Sequence, residues 1–393
     1  MMDIERIRKD FPLVDEYIYF DNACLTLKPY QVIEAVKEYY HRFPVCAGRS
    51  SHTLSNELNR RISSARDSIA SLINAKGPGE VVFTKNATES INLVARGWDF
   101  RRGDMVLSTD REHNSNLAPW LMLKHERGTE HHRVPSFADG TFDIEAFEDM
   151  MGPHVKMVSM VHTSNLDGVT TPAREIARIA HDHDALFLLD AAQSVPHRSV
   201  DVKELEVDFM VFSVHKMLGP TGVGILYGRE ELMNELKPMV VGGGSIRNIS
   251  YDDITLQPSP ARFEGGLQNY ASLCGVKAAV DYLLDIGMER IERHEVELNR
   301  LATRDLKDVV TILGPEDPEL RSGIFNFNVD SLGCHEISLL LEENRILTRG
   351  GMQCVHSWYN KSGMDGGTRV SFYLYNTIEE VKVMVDSLVD LLA

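Results

Sequence analysis

Asp208-Phe209-Met210-Val211-Phe212-Ser213-Val214-His215-Lys216-Met217-Leu218-Gly219-Pro220-Thr221-Gly222-Val223-Gly224 joins an apolar run ending at Ser213, a lysine just beyond it, and a turn rich in glycine and proline. A short apolar run bounded by turn residues reads as a buried strand. A lysine just past such a strand is partly desolvated, which lowers its pKa and frees its amine for Schiff-base chemistry. Upstream, Ala185-Leu186-Phe187-Leu188-Leu189-Asp190-Ala191-Ala192-Gln193-Ser194 brings a carboxylate to the end of a second apolar strand.

A carboxylate and a lysine at the C-terminal ends of neighbouring strands are what pyridoxal phosphate requires: one holds the pyridinium proton, the other the aldehyde. Strand-like runs recur outward from this pair at Val81 to Thr84, Asp104 to Thr109, Val155 to His162 and Gly224 to Tyr227. Amphipathic segments such as Ala173 to His183 lie between several of them. The alternation predicts an α/β fold with a mostly parallel sheet covered on both faces, and ligands at the carboxyl ends of its strands. Past Gly242-Gly243-Gly244, a helical pattern runs from about Tyr270 to Leu306 with a break near Gly287, and reads as the link to a smaller unit. Strand Ile324 to Val329, helix Cys334 to Glu343, strand Arg369 to Tyr373 and helix Ile378 to Leu392 follow.

With 393 residues, two domains are expected. Lys and Arg total 41 against 58 Asp and Glu, a formal net charge of -17. That balance argues against nucleic acid and anionic membrane as partners. The N-terminus has no apolar signal core and no stretch approaches 18 uncharged apolar residues, so a cytoplasmic protein is expected. The five cysteines include no C-x-x-C pair, which predicts reduced thiols and no zinc site. His181-Asp182-His183-Asp184 does not converge on one helix face and reads as a solvated helix end. Glu130-His131-His132-Arg133 reads as surface, and no metal site is expected. Cys46, Cys274 and Cys334 read as structural.

Other strand ends carry chemistry of the same kind. Asn86-Ala87-Thr88-Glu89-Ser90 opens a helix whose N–H groups and Thr88 hydroxyl suit a phosphate, although a plain helix cap explains Thr88 alone. His113 follows the strand ending at Thr109 and can stack on a flat ring. Asn165 follows the strand ending at His162 and can donate to a phenolic oxygen or a carboxylate. Ser213 and His215 flank Lys216. Each has an ordinary reading by itself; the set together points to one site.

These motifs make the chain resemble a fold-type I pyridoxal phosphate enzyme of aminotransferase class V, of the SufS-like (group II) cysteine desulfurase branch. The resemblance runs in family order through Tyr19-Phe20-Asp21-Asn22-Ala23, Arg49-Ser50-Ser51-His52-Thr53-Leu54-Ser55, Thr88 to Ala95, Glu112 to Asn116, and Ser164-Asn165 with Gly168. It continues through Asp190-Ala191-Ala192-Gln193, Ser213-Val214-His215-Lys216, Gly242-Gly243-Gly244, Arg262-Phe263-Glu264 and Tyr375-Asn376-Thr377. It implies a large cofactor-binding domain over 15–275 with a mostly parallel seven-stranded sheet, and a small α+β domain over 276–393 joined by 1–14. It also implies that Lys216 carries the cofactor, Asp190 pairs with the pyridine nitrogen, Gln193 bonds the phenolic oxygen, and His113 stacks on the ring. Thr88, Ser213 and His215 would hold the phosphate. A homodimer is implied too, with the neighbour's loop after Phe263-Glu264 completing the phosphate site.

Arg349-Gly350-Gly351-Met352-Gln353-Cys354 resembles the family's Arg-x-Gly-x-x-Cys segment, so Cys354 is the expected nucleophile. Arg369 follows at the family's spacing for the arginine that grips the substrate carboxylate, a task suited to its bidentate fork. Arg349 and Asn165 are further substrate-binding candidates, and His52, His356 or Arg349 could supply positive charge beside the thiol. The implied reaction converts L-cysteine to L-alanine with a persulfide on Cys354, which feeds a sulfur-acceptor protein in iron–sulfur cluster assembly or a related pathway. L-selenocysteine is the rival substrate, a class V aminotransferase or lyase the rival enzyme, and a scaffold without catalysis the non-enzyme alternative. The chain departs from the pattern in three places. Met352-Gln353 replaces a histidine pair. Gly266-Leu267-Gln268-Asn269 lacks the threonine expected on the neighbour's phosphate. Cys24 replaces an alanine, read as a packing change.

Overall fold

The computed structural model describes residues 2–48 and 50–392; Arg49, first in the Arg49–Ser55 motif, lies outside them. The fold is α/β. Seven strands form the main sheet, in the order Val81–Thr84, Gly224–Gly228, Phe209–Ser213, Leu186–Asp190, Val155–Val161, Met105–Thr109, Glu130–Val134. All pairings are parallel except those of Gly224–Gly228, which runs antiparallel to both neighbours. Successive side chains along a strand point to opposite faces. Phe187, Leu189, Met210 and Phe212 accordingly pack into one core, and Leu188, Phe209 and Val211 into the other. Burial on both faces is why these strands read as unbroken apolar runs. The Ala173–Asp182 helix turns Ile176, Ala177, Ile179 and Ala180 inward as a single stripe.

Glu130-His131-His132-Arg133 is at the surface as expected, and it forms the edge strand Glu130–Val134 beside Met105–Thr109. Its polarity reflects an edge that needs little covering. His131 is half-buried and hydrogen-bonded to Ser108 Oγ at 2.8 Å. His181 to Asp184 form the largely exposed end of the Ala173–Asp182 helix, as expected, and His181 Nε2 meets Asp208 Oδ2 at 2.9 Å.

The long helical pattern divides into Tyr270–Ile286 and Met288–Leu306 at Gly287, where φ is +93°. Glycine adopts that conformation without the Cβ penalty. Beyond it an antiparallel sheet runs in the order Thr311–Ile312, Ile324–Asn328, Gly367–Ser371, Arg349–Gly351. Helices Cys334–Glu343 and Ile378–Leu392 pack on it around Phe325, Phe327, Leu341, Val370 and Met384. The N-terminal strand Ile18–Tyr19 pairs with Ile346–Leu347, which carries Phe20 into this same core. Among the described residues no helix is long and apolar enough to cross a membrane, and no cluster of three or more metal-ligating side chains occurs.

Candidate active site

Strand ends deliver most of the candidate side chains. Lys216 closes the single turn Val214–Lys216 directly after Phe209–Ser213. Val161, Asp190 and Val211 stand in register across three strands, so Asp190 and the residues following Ser213 emerge at the same rim. Thr88 lies in the first turn of the Ala87–Gly97 helix, whose cap Asn86 accepts the Glu89 N–H through Oδ1 at 2.9 Å. His113 caps the Asn114–Arg127 helix by accepting the Ser115 N–H through Nδ1 at 3.0 Å. The antiparallel sheet contributes Arg369 and, directly opposite it, Arg349. Lys216, Cys354, His113, Thr88, Asn165, Asp190, Gln193, Ser213, His215, Arg349 and Arg369 all line one cavity of about 260 Å³. A larger hollow of about 790 Å³ adjoins it, sharing Cys24, Asn86 and His215, and is bordered by Phe263 to Gly265 and Leu267 to Asn269.

Burial controls the charges here. Asp190 is 4% exposed and accepts one N–H, from Ala192 at 3.0 Å. Desolvation holds its carboxyl above the usual range, opposed by that bond and by Lys216. Desolvation likewise pushes the Lys216 amine below its ordinary value, against the pull of Asp190. His113 is pushed down to about 3 and His215 to about 4, each first by burial and then by Lys216, so both rings are neutral. Gln193 donates from Nε2 to the Ala23 carbonyl at 2.6 Å, and its Oε1 is buried without a partner. Ser213 Oγ accepts the Ala87 N–H at 2.9 Å and keeps its own proton to donate. Thr88 Oγ1 lies 2.7 Å from Ser115 Oγ. A buried carboxylate with spare acceptor capacity, a desolvated amine, and hydroxyls at a helix N-terminus fit a ring N–H, an aldehyde and a phosphate respectively.

At the other end, Arg369 is 2% exposed. It donates to the Asn165 carbonyl at 3.0 Å and lies 3.5 Å from Asp21 Oδ1, while its Nε has no partner. Arg349 holds Asp21 in a fork, at 2.9 Å from Nε and 2.8 Å from Nη2. Cys354 is exposed at the cavity and its carbonyl accepts the Asn114 N–H at 2.7 Å. His356 Nδ1 accepts from Asn114 Nδ2 at 2.8 Å. His52 accepts the Ser55 N–H as the cap of Thr53–Leu72 and does not line this cavity.

Three residues have supporting contacts that the sequence reading did not give, although Glu112 stands in a quoted motif and Gln353 in the Met352-Gln353 departure from the family pattern. Glu112, 1% exposed, accepts from Thr109 N and Oγ1 at 3.1 and 2.7 Å, from Val161 N at 3.0 Å and from Asn116 Nδ2 at 2.7 Å. It thereby clamps two strand ends beneath His113, and burial raises its pKa to about 7. Lys28, pushed to about 7 by burial, donates from Nζ to the His215 carbonyl at 3.0 Å and to the Thr26 carbonyl, backing the residue next to Lys216. Gln353 sits beside Cys354 inside the same cavity wall. The Glu112–Val161, Lys28–His215 and Gln353–Gly367 contacts join positions well separated in the chain, so no local spacing announces them.

The aminotransferase class-V family model matches residues 18–384. A cysteine desulfurase of Haloferax volcanii is 38% identical, over 98% of this chain and 96% of that one. The apo structure of a cysteine desulfurase from Thermococcus onnurineus NA1 is also 38% identical and superposes with a TM-score of 0.97, covering 100% of this chain and 98% of its own. A structure of the protein C-DES with glycine covalently linked to its PLP cofactor has a TM-score of 0.87 at 25% identity, covering 98% of this chain and 99% of that one. The chain belongs to the aminotransferase class-V family, and its cofactor is pyridoxal phosphate.

Proposed function

We propose that this protein is a cysteine desulfurase, which takes sulfur from L-cysteine onto Cys354 and releases L-alanine. The observation that carries the reading is an exposed thiol, Cys354, in the same cavity as the half-buried, desolvated amine of Lys216 and the buried guanidinium of Arg369. Pyridoxal phosphate, when bound, supplies the electron sink for the substrate's Cα. Asp190 holds the proton on the ring nitrogen, and His113 presents a neutral imidazole face to the ring. Gln193 has a second Nε2 hydrogen for the phenolic oxygen. Thr88, Ser213 and His215 hold the phosphate. Arg369, with Nε unspent, grips the substrate carboxylate, and Asn165 and Arg349 frame it.

Lys216, whose amine desolvation holds below its ordinary pKa, takes the Cα proton and moves it. The Cys354 thiolate then attacks the substrate Sγ. The Cβ–Sγ bond breaks, its electron pair stays on Cβ, and Cβ takes up a proton to become the methyl of alanine. The sulfur remains on Cys354 as a persulfide. Arg349 supplies positive charge beside that thiol. We take residues 15–275 as the cofactor-binding domain, apart from Ile18 to Phe20, which pack with the smaller one, and 276–393 with 1–14 as the smaller one. We further propose a cytoplasmic homodimer that passes sulfur to an acceptor protein for iron–sulfur cluster assembly or a related pathway. The exposed apolar side chains Val240 and Leu267 at the larger hollow, with Val241, Ile249 and Tyr251 exposed on the segment that follows Val240, support the second copy.

The test is anaerobic incubation with L-cysteine, measuring alanine and mapping persulfide by mass. Wild type is expected to give both, with the added sulfur on Cys354. Cys354→Ala should still shift its visible spectrum on adding L-cysteine while alanine formation collapses. Desulfuration by that variant at the wild-type rate would overturn the assignment in favour of a lyase or aminotransferase.

A further inference from the structure

Cys354 is held in an unusual backbone. Gln353 has φ +40° and Cys354 φ +61°, two consecutive residues other than glycine in the left-handed region. Each such residue costs on the order of 1 kcal/mol, so the turn persists only where surrounding contacts fix it. Gln353 makes those contacts. It is 7% exposed, and its side chain spends both ends of the amide inside the protein. Nε2 donates to the Gly367 carbonyl at 2.6 Å, on the strand that carries Arg369, and Oε1 accepts the Tyr359 hydroxyl at 2.6 Å. Tyr359 is fully buried on the next helix, His356–Ser362, and its oxygen accepts in turn from Asn326 Nδ2 at 2.9 Å.

The backbone of Gln353 continues the chain of bonds. Its carbonyl accepts from Asn165 Nδ2 at 2.8 Å, and the Asn165 carbonyl accepts from Arg369 at 3.0 Å. On the far side, the Cys354 carbonyl is held by the Asn114 N–H at 2.7 Å, next to His113. The thiol's turn and the buried arginine therefore hang on one residue, Asn165. A side chain that takes the amide donor from the Gly367 carbonyl and the acceptor from the Tyr359 O–H would leave each group one hydrogen bond short in a buried place, and the turn would relax out of its left-handed form.

We infer that Gln353 is a positioning residue for sulfur transfer, pinning the turn so that the Cys354 thiol is presented to a substrate whose carboxylate Arg369 holds. This rests on the proposed desulfurase reaction. The residue does not touch the reacting atoms, so its loss should slow the step that needs the thiol and spare the steps that do not. L-Selenocysteine separates the two, because selenium departs without nucleophilic attack.

Gln353→Ala should lower kcat for alanine formation from L-cysteine by about tenfold or more, with KM within about twofold. Turnover of L-selenocysteine and the spectral response to L-cysteine should stay near wild type. Gln353→His keeps a ring that can satisfy one of the two partners, and should show the same split in smaller measure. It decides the matter if Gln353→Ala does not fold. Equal loss with both substrates would reduce Gln353 to a structural residue, and wild-type cysteine turnover in both variants would equally overturn the inference. If wild-type protein forms no persulfide on Cys354, the desulfurase reading itself fails, a result distinct from either.

Discussion

Arg369 is the side chain on which substrate affinity should turn. It is nearly fully buried, one of its nitrogens is already tied to the Asn165 carbonyl, and its Nε is left for a ligand. Burial lowers its pKa, while Asp21 opposes the loss of charge. Arg369→Ala should raise KM for L-cysteine about a hundredfold, the equivalent of about 2–3 kcal/mol of charge-assisted contact, with cofactor content unchanged by absorbance. An unaltered KM would remove Arg369 from the substrate site. The positions of Asp190, Ser213 and Lys216 were legible because a strand end can be read from where an apolar run stops. The support beneath them was not. Glu112 works through Val161, Lys28 through His215 and Gln353 through Gly367, and such pairings exist only once the chain has folded.

Elements depend on similar long-range ties. Glu264, quoted with Arg262 and Phe263 as part of a motif, is fixed by Arg66 on the Thr53–Leu72 helix through a fork at 2.7 and 2.9 Å. It also accepts the Phe83 N–H at 2.8 Å, and Arg66 lies 4.3 Å over the Phe83 ring. This knot binds a helix, the sheet-edge strand Val81–Thr84 and the start of the loop carrying Leu267. Both side chains are mostly buried, so removing one strands the other's charge. Arg66→Ala should cost about 3 kcal/mol in urea denaturation and loosen the loop after Glu264, seen as faster proteolysis there. A midpoint within error of wild type would mean the pair carries no net coupling. Most strands and helices were legible from their periodicity, including the break at Gly287. Glu130–Val134 was not, because a short polar edge strand has neither an apolar run nor clean alternation and is defined by its pairing with Met105–Thr109.

Polar contacts also tie the segments that flank the two sheets. Tyr373 donates to the Pro196 carbonyl at 2.9 Å, His197 Nδ1 meets Glu295 Oε1 at 3.0 Å, and Asn22 donates to the Ser371 carbonyl at 2.6 Å. Two histidines of the larger unit, His162 just past the Val155–Val161 strand and His131 on the edge strand, contribute to the response to acid. His162 is pushed down to about 3, first by burial and then by the charge of Arg198, and His131 to about 4. A folded pKa below the unfolded value of about 6.5 means that only the unfolded chain binds the proton in between. Each such histidine therefore contributes stability that is fully present above pH 6.5 and is lost as pH falls toward its folded pKa. Glu112, raised to about 7, works in the opposite direction over part of the same range, so the net slope of wild type alone would not isolate one group. The difference between two proteins does. His162 Nδ1 is 2.9 Å from Ser194 Oγ, and a glutamine can replace that bond without binding a proton. Between pH 6 and pH 4, wild type should lose stability more steeply than His162→Gln by about 1.4 kcal/mol per pH unit. Urea midpoints at fixed protein concentration measure it, the concentration being held because association would otherwise shift them. Parallel profiles would show that His162 takes up its proton equally in both states, and the acid sensitivity would then have to reside elsewhere in the sheet.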